Sequence, residues 1–349
     1  MFMNIKIIRL LGPLAIGIAM ITACSSPTSI ESSIPDSANA PVTSSSSTPA
    51  ADWQPQKPID FVIMAGKGGG ADKMARLMQS IVAERGFASK PLIPINKAGG
   101  SGAEALQYLK SQEGDNHTIM VTLNSFYTTP LRQPDLNVDI SRFTPIARMA
   151  EDTFVLWVHK DSGVTNFEEF LQAVKEAGDD WLMAGTGRGQ EDEILTDFLN
   201  TTFDLAITYI PFEGGGEVAK QLAGAQVNST VNNPSEALGF YEEGTFTPIV
   251  AFTPDRLAKF PDTPTLKELG YDFDYLMQRS VVGAPGMSEE AATYYRNLFT
   301  AVYESPEWQE YMQGKSLQGE FISNDELKGY WSKQQALHKQ LLMDDDEAQ

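Results

Sequence analysis

Ile59-Asp60-Phe61-Val62-Ile63-Met64-Ala65-Gly66-Lys67-Gly68-Gly69-Gly70-Ala71-Asp72 is the stretch that decides the fold. Its first six residues are an almost unbroken apolar run and read as a buried strand. Met74, Leu77, Met78, Ile81 and Val82 follow at helical spacing. The glycines between them therefore form a strand-to-helix turn. Glycine permits backbone conformations closed to other residues and lets a ligand come close to the chain. The turn ends on a helix N-terminus, whose free N–H groups and dipole attract anions. An anion cradle and an ordinary tight turn capped by Asp72 both satisfy this pattern.

The arrangement recurs downstream. Residues 91–95 read as a strand, followed by the turn Asn96-Lys97-Ala98-Gly99-Gly100-Ser101-Gly102 and a helix over 103–109. Residues 118–123 read as a strand ending in Asn124-Ser125, and 143–150 and 153–158 as further strands. A second set begins near Asp161. A helix over 166–177 precedes the short strand 181–184, the turn Gly185-Thr186-Gly187-Arg188-Gly189-Gln190-Glu191-Asp192 and a helix. Residues 208–211 and 226–231 read as strands, each followed by a turn and a helix, with Asn233 and Pro234 suited to a cap and a first helical position. The strand 247–252 follows. In the last third, 266–270 reads as a short helix stopped by Gly270, 279–283 as a strand, and 289–304, 306–313 and 324–342 as helices before an acidic tail at 344–347. Strands alternating with helices predict an α/β fold with parallel sheets, and ligands in such sheets sit at the carboxyl ends of the strands. The turns at Gly66, Asn96 and Asn124 then share one edge.

The N-terminus has a different character. Lys6 and Arg9 precede an apolar run over residues 10–21, too short to span a bilayer and shaped like a secretion signal. It ends in Ile21-Thr22-Ala23-Cys24, which resembles the lipobox of bacterial lipoproteins and implies cleavage before Cys24 and lipidation of its sulfur. The alternative is a plain signal peptide containing a cysteine. Cys24 is the only cysteine, so no intrachain disulfide and no cysteine-based metal site is possible. Residues 25–52 are mostly Ser, Pro, Thr and Ala and read as a flexible tether.

The chain carries 26 Lys plus Arg against 46 Asp plus Glu, a net charge of −20. That balance argues against nucleic acid and against a polybasic membrane patch. It leaves an anionic ligand possible, because local backbone donors outweigh distant surface charge. Enzyme readings are weak. Ser101 lacks the second glycine of a nucleophile elbow, no Gly-x-x-x-x-Gly-Lys-[Ser/Thr] loop occurs, and His117, His159 and His338 have no metal spacing. Donor-rich turns without a base or nucleophile suit binding a small anion rather than transforming it. No metal and no cofactor is expected.

Several motifs in order make the chain resemble the solute-binding proteins of tripartite tricarboxylate transporters, the TctC or Bug family. They are Ala65-Gly66-Lys67-Gly68-Gly69-Gly70-Ala71-Asp72 with Ala75-Arg76, Asn96 to Gly102, Phe143-Thr144-Pro145-Ile146-Ala147, Gly185-Thr186-Gly187, Pro211-Phe212-Glu213-Gly214, Leu222-Ala223-Gly224-Ala225-Gln226-Val227, and Arg256 with Pro261 to Gly270. The resemblance implies a two-domain fold like the type II periplasmic binding proteins, with a hinge and an interdomain ligand cleft. It divides the chain into a signal at 1–23, a lipidated tether at 24–57, a first domain at 58–152 plus 277–349, and a second at 153–276. It implies a monomeric lipoprotein of the periplasm or cell surface that captures a small carboxylate and presents it to integral-membrane permease subunits, touching the membrane through its lipid alone. The chain departs from the family where a His often follows the Gly-x-Gly turn, here Gln190-Glu191-Asp192, and where Phe212 replaces a tyrosine. A sensor signalling to a membrane regulator, and an enzyme on the same scaffold, are the alternative functions.

The expected ligand contacts are the backbone donors of Gly68, Gly69 and Gly70, and Asn124 and Ser125 at a strand end. Across the cleft they are Gly187, Arg188, Gly189, Gln190, Phe212, Asn232 and Asn233, with Arg279 near the crossover. Arg188 is the candidate clamp, because a guanidinium binds both oxygens of a carboxylate. Arg279 reads equally as a cleft residue or as half of a buried pair. Asp72 reads as a cap, since its charge repels an anion. On this reading Gly69→Val blocks all binding.

Overall fold

The computed structural model describes residues 53–348, with side chains to residue 342, and they belong to one compact unit. The signal-like segment, Cys24 and most of the tether lie outside the described residues. The elements in order are β1 (Ile59–Ile63), α1 (Gly70–Arg85), β2 (Leu92–Asn96), α2 (Ala103–Ser111), β3 (Thr118–Thr122), α3 (Ser125–Arg132), β4 (Thr144–Asp152) and β5 (Val155–His159). Next come α4 (Phe167–Ala177), β6 (Leu182–Thr186), α5 (Glu191–Phe203), β7 (Thr208–Phe212), α6 (Gly215–Ala223), β8 (Ser229–Asn232), α7 (Pro234–Glu242) and β9 (Phe246–Ala251). The chain ends with β10 (Met277–Gly283), α8 (Glu289–Tyr303), α9 (Pro306–Lys315) and α10 (Asn324–Ala348).

The strands form two five-stranded sheets, β2-β1-β3-β10-β4 and β7-β6-β8-β5-β9. β1 is an apolar run because both its faces are covered. Phe61 packs with Met74, Met78 and Phe299, while its neighbour Val62 packs with Leu106, Phe126 and Trp331 on the other face. The second sheet repeats this sandwich. Leu156 and Val158 join Phe170 and Leu195 on one side, and Val155 and Trp157 join Val218, Leu222 and Phe260 on the other.

The sheets are mixed rather than parallel. β1 pairs in parallel with β2 and β3, and β6 with β7 and β8. β10 runs antiparallel to β3 and β4, and β5 antiparallel to β8 and β9. The reason lies in the connectivity. The chain leaves the first sheet after β4 to enter β5, and leaves the second after β9 to return as β10. A strand entered from the edge where the parallel strands end must run the other way. Each sheet with its helices is called a lobe below.

Three local expectations change. Residues 266–270 form hydrogen-bonded turns instead of a helix, although Gly270 has the positive φ of a stop. The helix α3 starts at Ser125, where the sequence suggests only a strand end. The last helix continues through the acidic residues to Ala348. That helix spans both lobes. Leu327 and Trp331 pack into the first core, and Leu341 and Leu342 pack against the second.

Candidate ligand-binding cleft

The βα turns of both lobes face one another across a cleft of about 1020 Å³. The first lobe contributes Met64 to Ala71, Lys73, Ala98 to Ser101 and Leu123, together with Met277 and Arg279 of β10. The second contributes Thr186 to Arg188, Gln190 to Asp192, Pro211 to Glu217, Lys220, Asn233 and Glu236. The volume is at the top of the usual range for small-molecule sites.

The glycine turn has the backbone of a cradle. Gly68 takes φ +84°, and Gly69 is the N-cap of α1 in an extended conformation. Two of its N–H groups already hold carboxylates of this chain. Gly68 N–H donates to Asp72 Oδ2 at 2.9 Å, and Gly70 N–H donates to Glu236 Oε1 at 3.0 Å. Asp72 is an internal clasp. Burial pushes its carboxyl up, but Arg76, the Gly68 N–H and Asn96 outweigh that and hold it below the usual carboxylate range. Glu236 is different, because it reaches from α7 in the opposite lobe. Its carboxylate also lies against Gly215, the first residue of α6, where an added Cβ would overlap it.

Burial raises the pKa of Glu236, and the nearby charge of Arg279 only partly offsets this. Arg279 itself is buried and paired with Asp152, Nε to Oδ2 at 3.2 Å. Burial opposes its charge, but the Asp152 and Glu236 carboxylates outweigh it and raise its pKa. Arg279 is thus a cleft residue and half of a buried pair at once.

The other expected contacts divide. Gly187, Gln190, Phe212 and Asn233 line the cleft with Gly68, Gly69 and Gly70. Asn233 takes the N-cap position of α7 but spends its side-chain amide on the Thr153 carbonyl at 2.8 Å. Arg188 lines the mouth, yet its Nη1 pairs with Glu193 Oε1 at 2.7 Å, so the candidate clamp is committed to the chain's own carboxylate.

Four expected contacts lie outside the lining. Asn124 is fully buried and binds the crossover, donating to the Leu276 carbonyl at 3.0 Å and accepting from Gln278 N–H at 3.0 Å. Ser125 is buried against Met64 Sδ. Gly189 is buried with its N–H bonded to Glu193. Asn232 is buried, donating to the Gly215 carbonyl at 3.0 Å and accepting from Asn233 N–H at 2.8 Å. Asn124 and Asn232 meet backbone demands, the Gly189 N–H meets a carboxylate and the Ser125 hydroxyl faces a thioether, each inside its own neighbourhood and away from the cleft.

Glu191 and Glu236 are the residues that sequence reasoning missed. Asn233-Pro234-Ser235-Glu236 has the spacing of a capping box, which assigns Glu236 to its own helix. Glu191 opens α5, where an acid favours the helix dipole. Neither local role shows where the carboxylate goes.

Among the described residues no group of three His, Cys, Asp or Glu side chains could hold a metal, and no helix is long and apolar enough to cross a membrane. The sequence profile of the tripartite tricarboxylate transporter family receptor matches residues 74–344. The chain belongs to this receptor family. The family consists of solute-binding proteins, not enzymes. Among curated relatives, the "UPF0065 protein in gbd 5'region" of Cupriavidus necator is 25% identical over 261 residues, covering 74% of this chain and 79% of its own. The protein BugT of Bordetella pertussis is 23% identical over 228 residues, 64% of this chain and 68% of its own. Two solved structures share the fold of this receptor. An R. palustris protein with adipate superposes with a TM-score of 0.78 at 20% identity, covering 84% of this chain and 98% of that one. MatC from Rhodopseudomonas palustris with bound malate gives 0.74 at 21% identity, covering 82% and 99%. The receptor thus has the two-sheet α/β fold of the periplasmic binding proteins that its motifs imply.

Proposed function

We propose that this receptor captures a small carboxylate in the cleft and delivers it to the permease subunits of a tripartite tricarboxylate-type importer. The observation that carries the reading is the bond from Gly70 N–H to Glu236 Oε1 at 3.0 Å. The N-terminus of α1 accepts a carboxylate presented from the opposite lobe, and a ligand carboxylate of the same geometry replaces that of Glu236. Lys67, Lys73 and Lys220 are exposed along the cleft and attract an incoming acid. The adipate and malate complexes of proteins with the same fold support the ligand class.

On this reading the lobes act as domains, 58–152 plus 277–349 and 153–276, closing about the two crossovers. The backbone at Gly69 and Gly70 holds the carboxylate, Gly68 shapes the turn while its N–H stays on Asp72, and Gly187, Gln190, Phe212 and Asn233 face the ligand's far end. The receptor works as a monomer outside the cytoplasm, tethered through residues 24–57 to a lipid on Cys24. Calorimetric titration with malate, adipate, succinate, glutarate, aspartate, glutamate and citrate tests the ligand class. Binding of at least one member supports it, and no heat from any of them overturns it. Metabolic labelling with palmitate tests the anchor, with Cys24→Ser expected to abolish the label.

A further inference from the structure

Glu191 is the group in the cleft that the carboxylate reading leaves unused. It lines the cleft at the start of α5, in the second lobe. Its residue is only 3% exposed, yet its Oε1 has no hydrogen-bond partner. A buried carboxylate oxygen without a partner is costly, and native proteins retain few of them.

The polar groups around it have other partners. Arg279 is bonded to Asp152, and its charge acts on Glu236 as well as on Glu191. Asp192 accepts from Thr186 N–H at 2.7 Å and from the Thr186 hydroxyl at 3.1 Å, closing its own turn. Arg188 and Arg132 both pair with Glu193. Burial opposes the charge of Glu191. Its own backbone N–H, the nearby charge of Arg279 and, from the first lobe, the N–H groups of Asn124 and Ser125 at the start of α3 favour its charged form without matching the effect of burial. The lysines of the cleft lie exposed. The buried part of the cleft therefore holds more carboxyl groups than cations, and Glu191 Oε1 has no donor.

We infer that the cleft takes a carboxylate that also carries an ammonium group, the carboxylate seated at the N-terminus of α1 and the ammonium donating to Glu191 Oε1. This rests on the carboxylate reading above and narrows it. A plain dicarboxylate brings a second negative charge toward Glu191 and leaves Oε1 unmatched. An amino acid brings the donor and the compensating charge together.

Matched pairs test it by calorimetric titration of the full chain, with succinate against aspartate and glutarate against glutamate. The amino member of at least one pair is expected to bind at least about tenfold tighter. Glu191→Gln keeps the shape and removes the charge, and should bring that ratio close to one. Glu191→Asp, which keeps the charge, should retain most of the preference. Equal or tighter binding of the plain diacids to the unmodified receptor overturns the inference and leaves the carboxylate reading standing. So does a preference that persists undiminished in a folded Glu191→Gln protein. If none of the four binds, the inference is overturned, and the carboxylate reading falls with it when malate, adipate and citrate also give no heat.

Discussion

Arg279 and Asp152 are bonded inside the protein at the point where the chain leaves the first sheet and the point where it returns. Asp152 is the last residue of β4, and Arg279 is the third residue of β10. Both are almost wholly hidden from water. Asp152 also accepts from the Thr153 N–H at 2.9 Å, at the start of the first crossover. One ion pair therefore ties together both passages between the lobes, and its Arg279 lines the cleft.

Removing the Asp152 charge breaks the bonded pair and leaves the buried Arg279 with only the Glu236 carboxyl to offset it. Asp152→Asn is expected to destabilise the receptor by about 3–5 kcal/mol, read as a drop in the midpoint of urea unfolding. A loss under 1 kcal/mol would mean that water reaches Arg279 freely.

Gly70, and not Gly69, is the turn position with no room for a side chain. A Cβ on Gly70 would lie 2.9 Å from Arg279 Nη2, and Asp152 holds that guanidinium in place. A Cβ on Gly69 would make ordinary contacts, 3.7 Å to the Gly66 carbonyl and 3.8 Å to Glu236 Oε1. The expectation that Gly69→Val blocks all binding rests on the ligand's approach to the turn and not on room inside the protein. Gly70→Ala should weaken carboxylate binding by about 1–3 kcal/mol, the usual cost of overpacking, while Gly69→Ala stays near the parent in the same titration.

On the proposed reading, Glu236, which accepts from the Gly70 N–H, competes with a ligand carboxylate for it. Removing the competitor in Glu236→Ala should tighten binding of a carboxylate by roughly tenfold, within the range of one hydrogen bond to a charged group. Weaker binding in this variant would assign Glu236 to the ligand instead.

His338 sets a pH dependence on the long last helix. It is fully buried between Tyr127 and Tyr275, with Nδ1 at 2.7 Å from the Gln334 carbonyl and Nε2 at 2.8 Å from the Tyr275 hydroxyl. Burial pulls its pKa down to about 4. The folded chain keeps His338 neutral where the unfolded chain takes up a proton. Its contribution is therefore complete above the ordinary histidine pKa and is lost as pH falls from about 6.5 toward 4, up to about 3 kcal/mol. Urea unfolding at pH 7.5 and pH 4.5 should show that loss, and His338→Gln should remove this part of the pH slope.

Much of the architecture was legible because it follows from local rules. Phe61 and Val62 must both be apolar in a strand covered on two faces, and Met74, Met78 and Ile81 must recur at helical spacing to cover it. Gly68 is needed where φ is positive, and Asn166 caps α4 by accepting from the Glu169 N–H at 3.0 Å. The ordered motifs carried the family. Strand direction was not legible. Nothing inside 277–283 says that it lies between β3 and β4, since its hydrogen-bond partners are more than a hundred residues away.

The cleft divides the same way. Backbone geometry is a short-range property, so the residues of the glycine turn by themselves determined a strand, a turn and a helix N-terminus with donors to offer. A side chain that can reach two partners is decided by which of them the fold brings near. Only the tertiary structure sent Glu236 across to Gly70, left Glu191 Oε1 without a partner, and turned Asn124, Ser125 and Asn232 inward. Each of those outcomes depends on a second segment, distant in sequence, arriving with a matching or competing group.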